Sequence, residues 1–137
     1  MNYLDILKDW LSQEEAVRNK MYLDSKGIPT IGIGHNLRDR PISDRAVEII
    51  FEDDMKEAES DARKLVSSFD QLNDVRKAVV IDMAFNMGYQ TFSEFKHTIG
   101  LINSGDYSGA ADAMLQSAWA KQVGLRASKL SKAMREG

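Results

Sequence analysis

The stretch Glu14–His35, EEAVRNKMYLDSKGIPTIGIGH, decides how the rest of the chain is read. Two acids stand side by side at its start, and a third, Asp24, follows. Asp24-Ser25-Lys26-Gly27 is a turn signal, with Asp favoured at the first position and Gly at the last. Met21–Leu23 before the turn and Ile28–Ile33 after it read as the two strands of a small hairpin. Pro29 lacks the N–H a ladder needs and implies an edge or bulge position for the second strand. Gly32 and Gly34 alternate with Ile31 and Ile33, so one face of that strand carries no side chains. A bare face of this kind fits a tight bend, or a place where something approaches the backbone closely. The residues alone leave both readings open.

Outward from the hairpin, the sequence turns helical. Asn2 caps a helix running to about Leu11, with Leu4, Leu7 and Leu11 at helical spacing and Ile6 and Trp10 widening the stripe. Leu37–Pro41 is a polar connection. Ser43 or Asp44 then caps a long helix to about Ser67, whose apolar positions include Val47, Ile50, Phe51, Met55, Ala58, Ala62 and Leu65. Further helices are expected at about Leu72–Met87, in short pieces around Phe92–Asn103, at Ser108–Ala120 and at Gly124–Met134, with Gly88, Gly105 and Gly124 as breaks. The expected class is α+β, mostly α, with no internal repeat.

A chain of 137 residues suffices for one compact domain with its own core. It has no cysteine, which excludes disulfides, thiolate catalysis and Cys-type zinc sites. His35 and His97 lack metal-ligand spacing, so no metal site is expected. No apolar run approaches the roughly 20 residues a bilayer span needs. The N-terminus carries acids within its apolar pattern and does not read as a signal peptide. These features predict a chain that starts in the cytoplasm, inserts stably in no membrane, and depends on another protein for anything it does outside. Residues 1–70 carry 10 basic and 15 acidic side chains, residues 71–137 carry 8 and 6. Five basic residues and no acid fall between Ala118 and Arg135 (Lys121, Arg126, Lys129, Lys132, Arg135). That stretch is either a solvated helix face or a patch for an anionic surface. The net charge of −3 and the lack of a binding motif argue against nucleic acid.

A glutamate at a helix end and an aspartate at a hairpin turn can face each other across a cleft. Two carboxylates so placed are what glycosidic bond cleavage requires: one protonated, to give its proton to the leaving oxygen, the other ionised, to hold a water or stabilise charge on the sugar. Glu15 suits the first role, Asp24 the second, and the Thr30 hydroxyl can help fix a water. Spacing alone does not separate this reading from a helix-end charge and a turn-forming Asp, since the chain has 21 acids.

The run YLDSKGIPTIGIGH, Tyr22–His35, resembles the signature of the phage-type, T4-like lysozymes, roughly E-G, a few residues, then Y-x-D-x-x-G-x-x-T-I-G-x-G-H. LNDVRKAVVIDMAFNMG, Leu72–Gly88, is similar to that family's central helix, and AWAKQVGLR, Ala118–Arg126, to its Trp-containing segment. The resemblance covers nearly the whole chain. It implies a lysozyme-like fold of two lobes: a small β lobe at about 13–42, a connecting helix at 43–67, and a helical lobe from 1–12 and 68–137. It places Glu15 on the general acid, with Glu14 as its variable neighbour, Asp24 on the carboxylate that positions the attacking water, and Thr30 on the threonine that helps hold it. Arg126 falls on a basic residue that pairs with the catalytic glutamate, and His35 and Asp54 on a structural ion pair. Asn36, Phe85 and Thr98 fall on positions that touch the sugar chain. The implied activity is hydrolysis of the bond between N-acetylmuramic acid and N-acetylglucosamine in peptidoglycan, with inversion in T4-like members and without a cofactor. The implied role is an endolysin: a monomer in the host cytoplasm that reaches the cell wall once a membrane-perforating partner releases it.

The sequence departs from the family pattern in four places. Ala16 stands where the family has glycine after the acid, a change that costs about 1 kcal/mol or more if φ is positive there and nothing if the backbone is helical. The segment between His35 and Ser43 is shorter than in the family's type member, which predicts a reduced small lobe. Ala113 and Ala118 replace polar cleft residues, and the net charge is negative where many relatives are basic. These departures keep two alternatives in view: a peptidoglycan-binding module without catalysis, and a tail-associated muramidase used at entry. A lytic transglycosylase, which makes an anhydro-sugar, has no need of an aspartate-held water.

Overall fold

The computed structural model describes residues 1–15 and 17–137, so the question raised by Ala16 lies outside the described residues. Seven α-helices and one three-stranded antiparallel sheet are found among them, the mostly α, α+β class expected. In chain order they are α1 (Tyr3–Glu14), β1 (Val17–Leu23), β2 (Pro29–Ile33), β3 (His35–Asn36), α2 (Asp44–Leu65), α3 (Asp74–Ser93), α4 (Lys96–Asn103), α5 (Tyr107–Leu115), α6 (Ala118–Val123) and α7 (Leu125–Glu136). A short 3-10 turn, Phe69–Gln71, follows α2. The chain forms two compact units, Met1–Ile49 and Ile50–Gly137, and α2 runs from the first into the second.

In the first unit, Asn2 and Asp5 close a capping box: the Asn2 side chain accepts from the Asp5 amide at 3.0 Å, and the Asp5 carboxylate accepts from the Asn2 amide at 3.3 Å. The sheet order is β1-β2-β3, with Val17 opposite Ile33, Leu23 opposite Pro29 and Thr30 opposite Asn36. Three differences from the expected hairpin have local causes. β1 begins at Val17 rather than Met21, because Val17 and Arg18 pair with Ile33 and Gly32 of β2, with an irregularity in the ladder between Arg18 and Tyr22. β3 is a two-residue strand, too short to carry a periodic signal. β2 is the central strand, and Pro29 is tolerated as its first residue, using its carbonyl to accept from the Leu37 amide at 2.8 Å. The Ser43 hydroxyl, rather than Asp44, caps α2 by accepting from the Ala46 amide at 3.1 Å.

The second unit holds the apolar core. Val66, Val79, Val80, Met83, Phe92, Ile102, Met114 and Met134 are fully buried in it, contributed by α2 to α7 and the turns between them. Several polar groups inside this unit are paired, as most buried polar atoms are. Trp119 donates its indole N–H to the Asn86 side-chain oxygen at 2.7 Å, and the Ser131 hydroxyl donates to the Ala111 carbonyl at 3.0 Å. Arg76 donates to the carbonyls of Met134 and Arg135 and lies 3.8 Å above the Tyr107 ring. It thereby places positive charge at the C-terminal end of α7, where the helix dipole favours it. Gly88, with φ 78° and ψ 164°, leaves helical geometry and breaks α3 as expected, and a second helical stretch follows it to Ser93. The expected Ser108–Ala120 helix is two helices, because Ser117 leaves helical geometry and caps α6 by accepting from the Ala120 amide.

Truncating Phe92, which is fully buried and packs edge-on against Phe95, removes a large part of this core. Phe92→Ala is expected to cost about 3–5 kcal/mol in equilibrium urea unfolding. A loss below about 1 kcal/mol would contradict the packing described.

Candidate active site

Glu15, Asp24 and Thr30 all belong to the first unit. Glu15 is the C-cap of α1, exposed, with extended backbone (φ −101°, ψ 147°), and its amide donates to the Leu11 carbonyl at 2.7 Å. Its side chain leaves the helix end and lies over Gly34, between β2 and β3. A Cβ on Gly34 would meet Glu15 Cγ at 3.0 Å, Cδ at 3.1 Å and Oε2 at 3.3 Å. The glycine is thus required twice: its φ is +68°, and the space a side chain would fill is taken by the Glu15 carboxyl. Gly32 shares the φ of +68°, but a Cβ there would meet nothing within 4 Å. The bare strand face therefore combines both readings: tight backbone geometry at each glycine, and a close approach at Gly34.

Asp24 is half-buried at the β1–β2 turn. Its Oδ1 accepts from the amides of Lys26 (2.8 Å) and Ile28 (2.9 Å), its own amide donates to the Ile28 carbonyl, and the Gly27 amide returns to the Asp24 carbonyl. The two amide bonds to Oδ1 orient the carboxylate, the two backbone bonds close the turn, and Oδ2 has no partner among the described residues. Two amide donors on one oxygen suit a carboxylate, an acceptor-only group. Thr30 is the one fully buried residue among those described in the first unit. Its hydroxyl donates to the Ile28 carbonyl at 2.8 Å, which commits the proton and leaves the oxygen lone pairs as acceptors. The Ile28 backbone thus ties Asp24 and Thr30 together.

The other expected site residues divide between the units. His35 Nε2 lies 3.1 Å from the Arg40 carbonyl, to which it donates in the tautomer this contact requires. Asn36 Oδ1 accepts from the Arg38 and Asp39 amides, and its Nδ2 donates to Asp39 at 3.0 Å, so the side chain mainly shapes the loop after β3. Arg38 first, and Asn36 next, hold the Asp39 carboxyl below its usual range by hydrogen bonding. In the second unit, Thr98 is buried in α4, whereas Phe85 on α3 is 52% exposed. Phe85, Asp54 and Arg126 line one cavity of about 710 Å³ together with Phe51, Ile81 and Asp82. Within that cavity Arg126 Nε stands 3.4 Å from Asp82 Oδ1. Asp82 was not among the residues expected from the sequence. The signal was present: an acid inside the apolar run VVIDMAF.

Among the described residues, no cluster of three or more His, Asp and Glu side chains is placed to hold a metal ion. No helix among them is long and apolar enough to cross a membrane. In the basic C-terminal stretch, Arg126 pairs with Asp82 and Arg135 with Asp112, while Lys121, Lys129 and Lys132 are exposed.

The glycine pair makes a differential prediction. Gly32→Ala and Gly34→Ala should each lose about 1–2 kcal/mol of stability in equilibrium unfolding, from the positive φ alone. Only Gly34→Ala should also shift the side-chain carboxyl 13C resonance of Glu15. Equal spectra for the two variants would remove Glu15 from its place over Gly34.

The sequence profile of the phage lysozyme family matches residues 12–136. A probable T4-type lysozyme of Dictyostelium discoideum is 26% identical over 96% of the chain and 94% of its own length. The endolysin of Salmonella phage P22 is 30% identical over 77% of the chain and 75% of its own length. The pre-baseplate central spike protein of Enterobacteria phage T4 is 26% identical over 91% of the chain, which spans only 27% of that longer protein. The match over residues 12–136 carries both the helix-end glutamate and the hairpin on which Asp24 and Thr30 sit, and the chain belongs to the phage lysozyme family.

Proposed function

We propose that the chain is a muramidase that hydrolyses the bond between N-acetylmuramic acid and N-acetylglucosamine in peptidoglycan. The observation that carries this reading is the set of Glu15 at the end of α1, Asp24 at the hairpin turn and Thr30 on β2, all in the first unit, with the Glu15 carboxyl held over Gly34 and Asp24 fixed by turn amides. Glu15 gives its proton to the glycosidic oxygen as the bond to the anomeric carbon breaks. Asp24 takes a proton from the water that attacks that carbon from the opposite face, with inversion. The water donates its other hydrogen to Thr30, whose oxygen is left as an acceptor. The cycle closes when solvent returns a proton to Glu15 and takes one from Asp24, so no cofactor enters the balance.

Arg126 is the basic residue proposed to support the acid, and His35 and Asp54 are proposed as structural supports. Asn36, Phe85 and Thr98 are the proposed glycan contacts. The half-exposed ring of Phe85 offers the flat apolar face that sugar rings stack on, and Thr98 has only an edge to offer. Acting as a monomeric endolysin in host lysis, the chain would meet its substrate after a membrane-perforating partner opens the way. A second reading places the same chemistry in a tail-associated muramidase. The similarity to the phage T4 spike protein favours it, and detection of the chain on purified virions would decide for it.

Glu15→Gln is expected to lower the rate of clearing of a cell-wall suspension by at least about 100-fold, with an unchanged circular dichroism spectrum. Glu14→Gln should stay within about twofold of the parent, because its carboxylate has no part in the proposed chemistry. Loss of activity on changing Glu14 but not Glu15 would reverse the assignment. The rate should also be bell-shaped against pH, since one carboxyl must be protonated and the other ionised. A flat profile through the acidic range would exclude the two-carboxylate mechanism.

A further inference from the structure

The basic end of the second unit divides by what its side chains meet. The two arginines of α7 face carboxylates, Arg126 at Asp82 and Arg135 at Asp112. The three lysines do not. Lys121 on α6 and Lys129 and Lys132 on α7 are exposed, and among the described residues no carboxylate stands within ion-pair distance of them. Helical spacing explains the division. Ala127, Leu130, Ser131 and Met134 are buried, so α7 turns its opposite face outward, with Leu125, Lys129 and Lys132 at i, i+4 and i+7. The arginines fall on the flanks, where neighbouring helices bring acids to them. Lys129 and Lys132 stand one turn apart, a spacing at which like charges repel. The acid on this face, Glu136, follows Lys132 by four residues, the weaker order for a helical pair, and no ion pair forms. On α2 the better order, Glu59 before Arg63, does give a pair, at 3.0 Å.

We propose that this lysine face is a docking surface for the carboxylates of the cell-wall polymer and takes no part in breaking the bond. The inference rests on the reading given under Proposed function, that peptidoglycan is the substrate. The peptides borne by that glycan carry free carboxylates, so the polymer presents anions at repeated intervals. A chain of net charge −3 is not drawn to such a polymer as a whole. The attraction has to be local, and unpaired lysines supply it within a Debye length, about 10 Å at 0.1 M salt. A carboxylate bound between Lys129 and Lys132 also relieves their mutual repulsion. A lipid surface fits less well. An interfacial helix needs a broad apolar face to bury among the lipids, and α7 already buries its own in the core. Leu125, 87% exposed, is the one large apolar side chain on the outward face.

The test is sedimentation of the full chain with purified peptidoglycan, in a Glu15→Gln background so that the polymer stays intact. Replacing Lys121, Lys129 and Lys132 together by Gln should weaken binding about tenfold at low ionic strength and less than about twofold in about 0.5 M salt, where screening removes the difference. Replacing all three by Arg should keep binding within about twofold of the parent, since the charge is retained, and guards against a folding defect. Peptidoglycan whose carboxyls have been converted to amides should bind the parent as weakly as the Gln variant binds the native polymer. Equal binding by the parent and the Gln variant, or undiminished binding to the amidated polymer, would overturn the proposal. Tighter binding to phosphatidylglycerol vesicles than to the wall would overturn it in favour of a lipid surface. If the unsubstituted chain releases no reducing ends, the muramidase reading fails on its own, and sedimentation still reports whether the lysines hold the polymer.

Discussion

The first unit depends on one steric constraint: the carboxyl of Glu15 occupies the volume that a side chain on Gly34 would need. Everything the small sheet does follows from accommodating it. α1 must end at Glu14, so that Glu15 takes extended backbone and its side chain leaves the helix axis. The β2–β3 connection must pass through the left-handed region at Gly34, which returns the chain as β3 beside Thr30 and Ile31. β2 is thereby covered on both edges, and Thr30 becomes the one buried residue described in a unit with little apolar interior. A single glycine couples the end of a helix to the register of a sheet.

The second unit is held by different physics. Its core is aliphatic and methionine-rich, ringed by capped helices, with Arg76 tying α3 to the last carbonyls of α7. Against that background the charges that stand apart are informative. Arg135 meets Asp112 at the exposed surface, and Arg63 meets Glu59 and Asp70 there, where ion pairs contribute little. Arg126 and Asp82 instead line the cavity of the second unit, where the half-exposed rings of Phe51 and Phe85 stand beside further charges, among them Asp54 and Glu52.

How much was legible in the sequence follows the range of the interactions. The Asp24–Gly27 turn, the Asn2 cap and the Ser43 cap are each made by residues within four positions of one another, and each was readable from residue type. Gly88 was readable as a break, and its φ of 78° and ψ of 164° interrupt α3 there before a second helical stretch. β1 starts earlier than its residue types indicate, because Val17 and Arg18 owe their strand geometry to pairing with Ile33 and Gly32, and the polar run after them carries no strand pattern. β3 was missed because two residues carry no period. Glu15 and Glu14 were inseparable by spacing, and the resemblance to a family motif distinguished them. What no local pattern could give was the close approach of Glu15 to Gly34 across the β1–β2 hairpin, or the partner of Asp82. Both are contacts between residues distant in sequence, made only once the elements have packed.

The central claim is hydrolysis of a glycan by two carboxylates, and the products test it most directly. Purified peptidoglycan incubated with the chain should yield muropeptides that end in hydrated, reducible N-acetylmuramic acid, identified by mass spectrometry before and after borohydride reduction. Products ending in the anhydro-sugar would contradict an aspartate-held water. Sedimentation of the chain with the wall and no released reducing ends would contradict catalysis altogether.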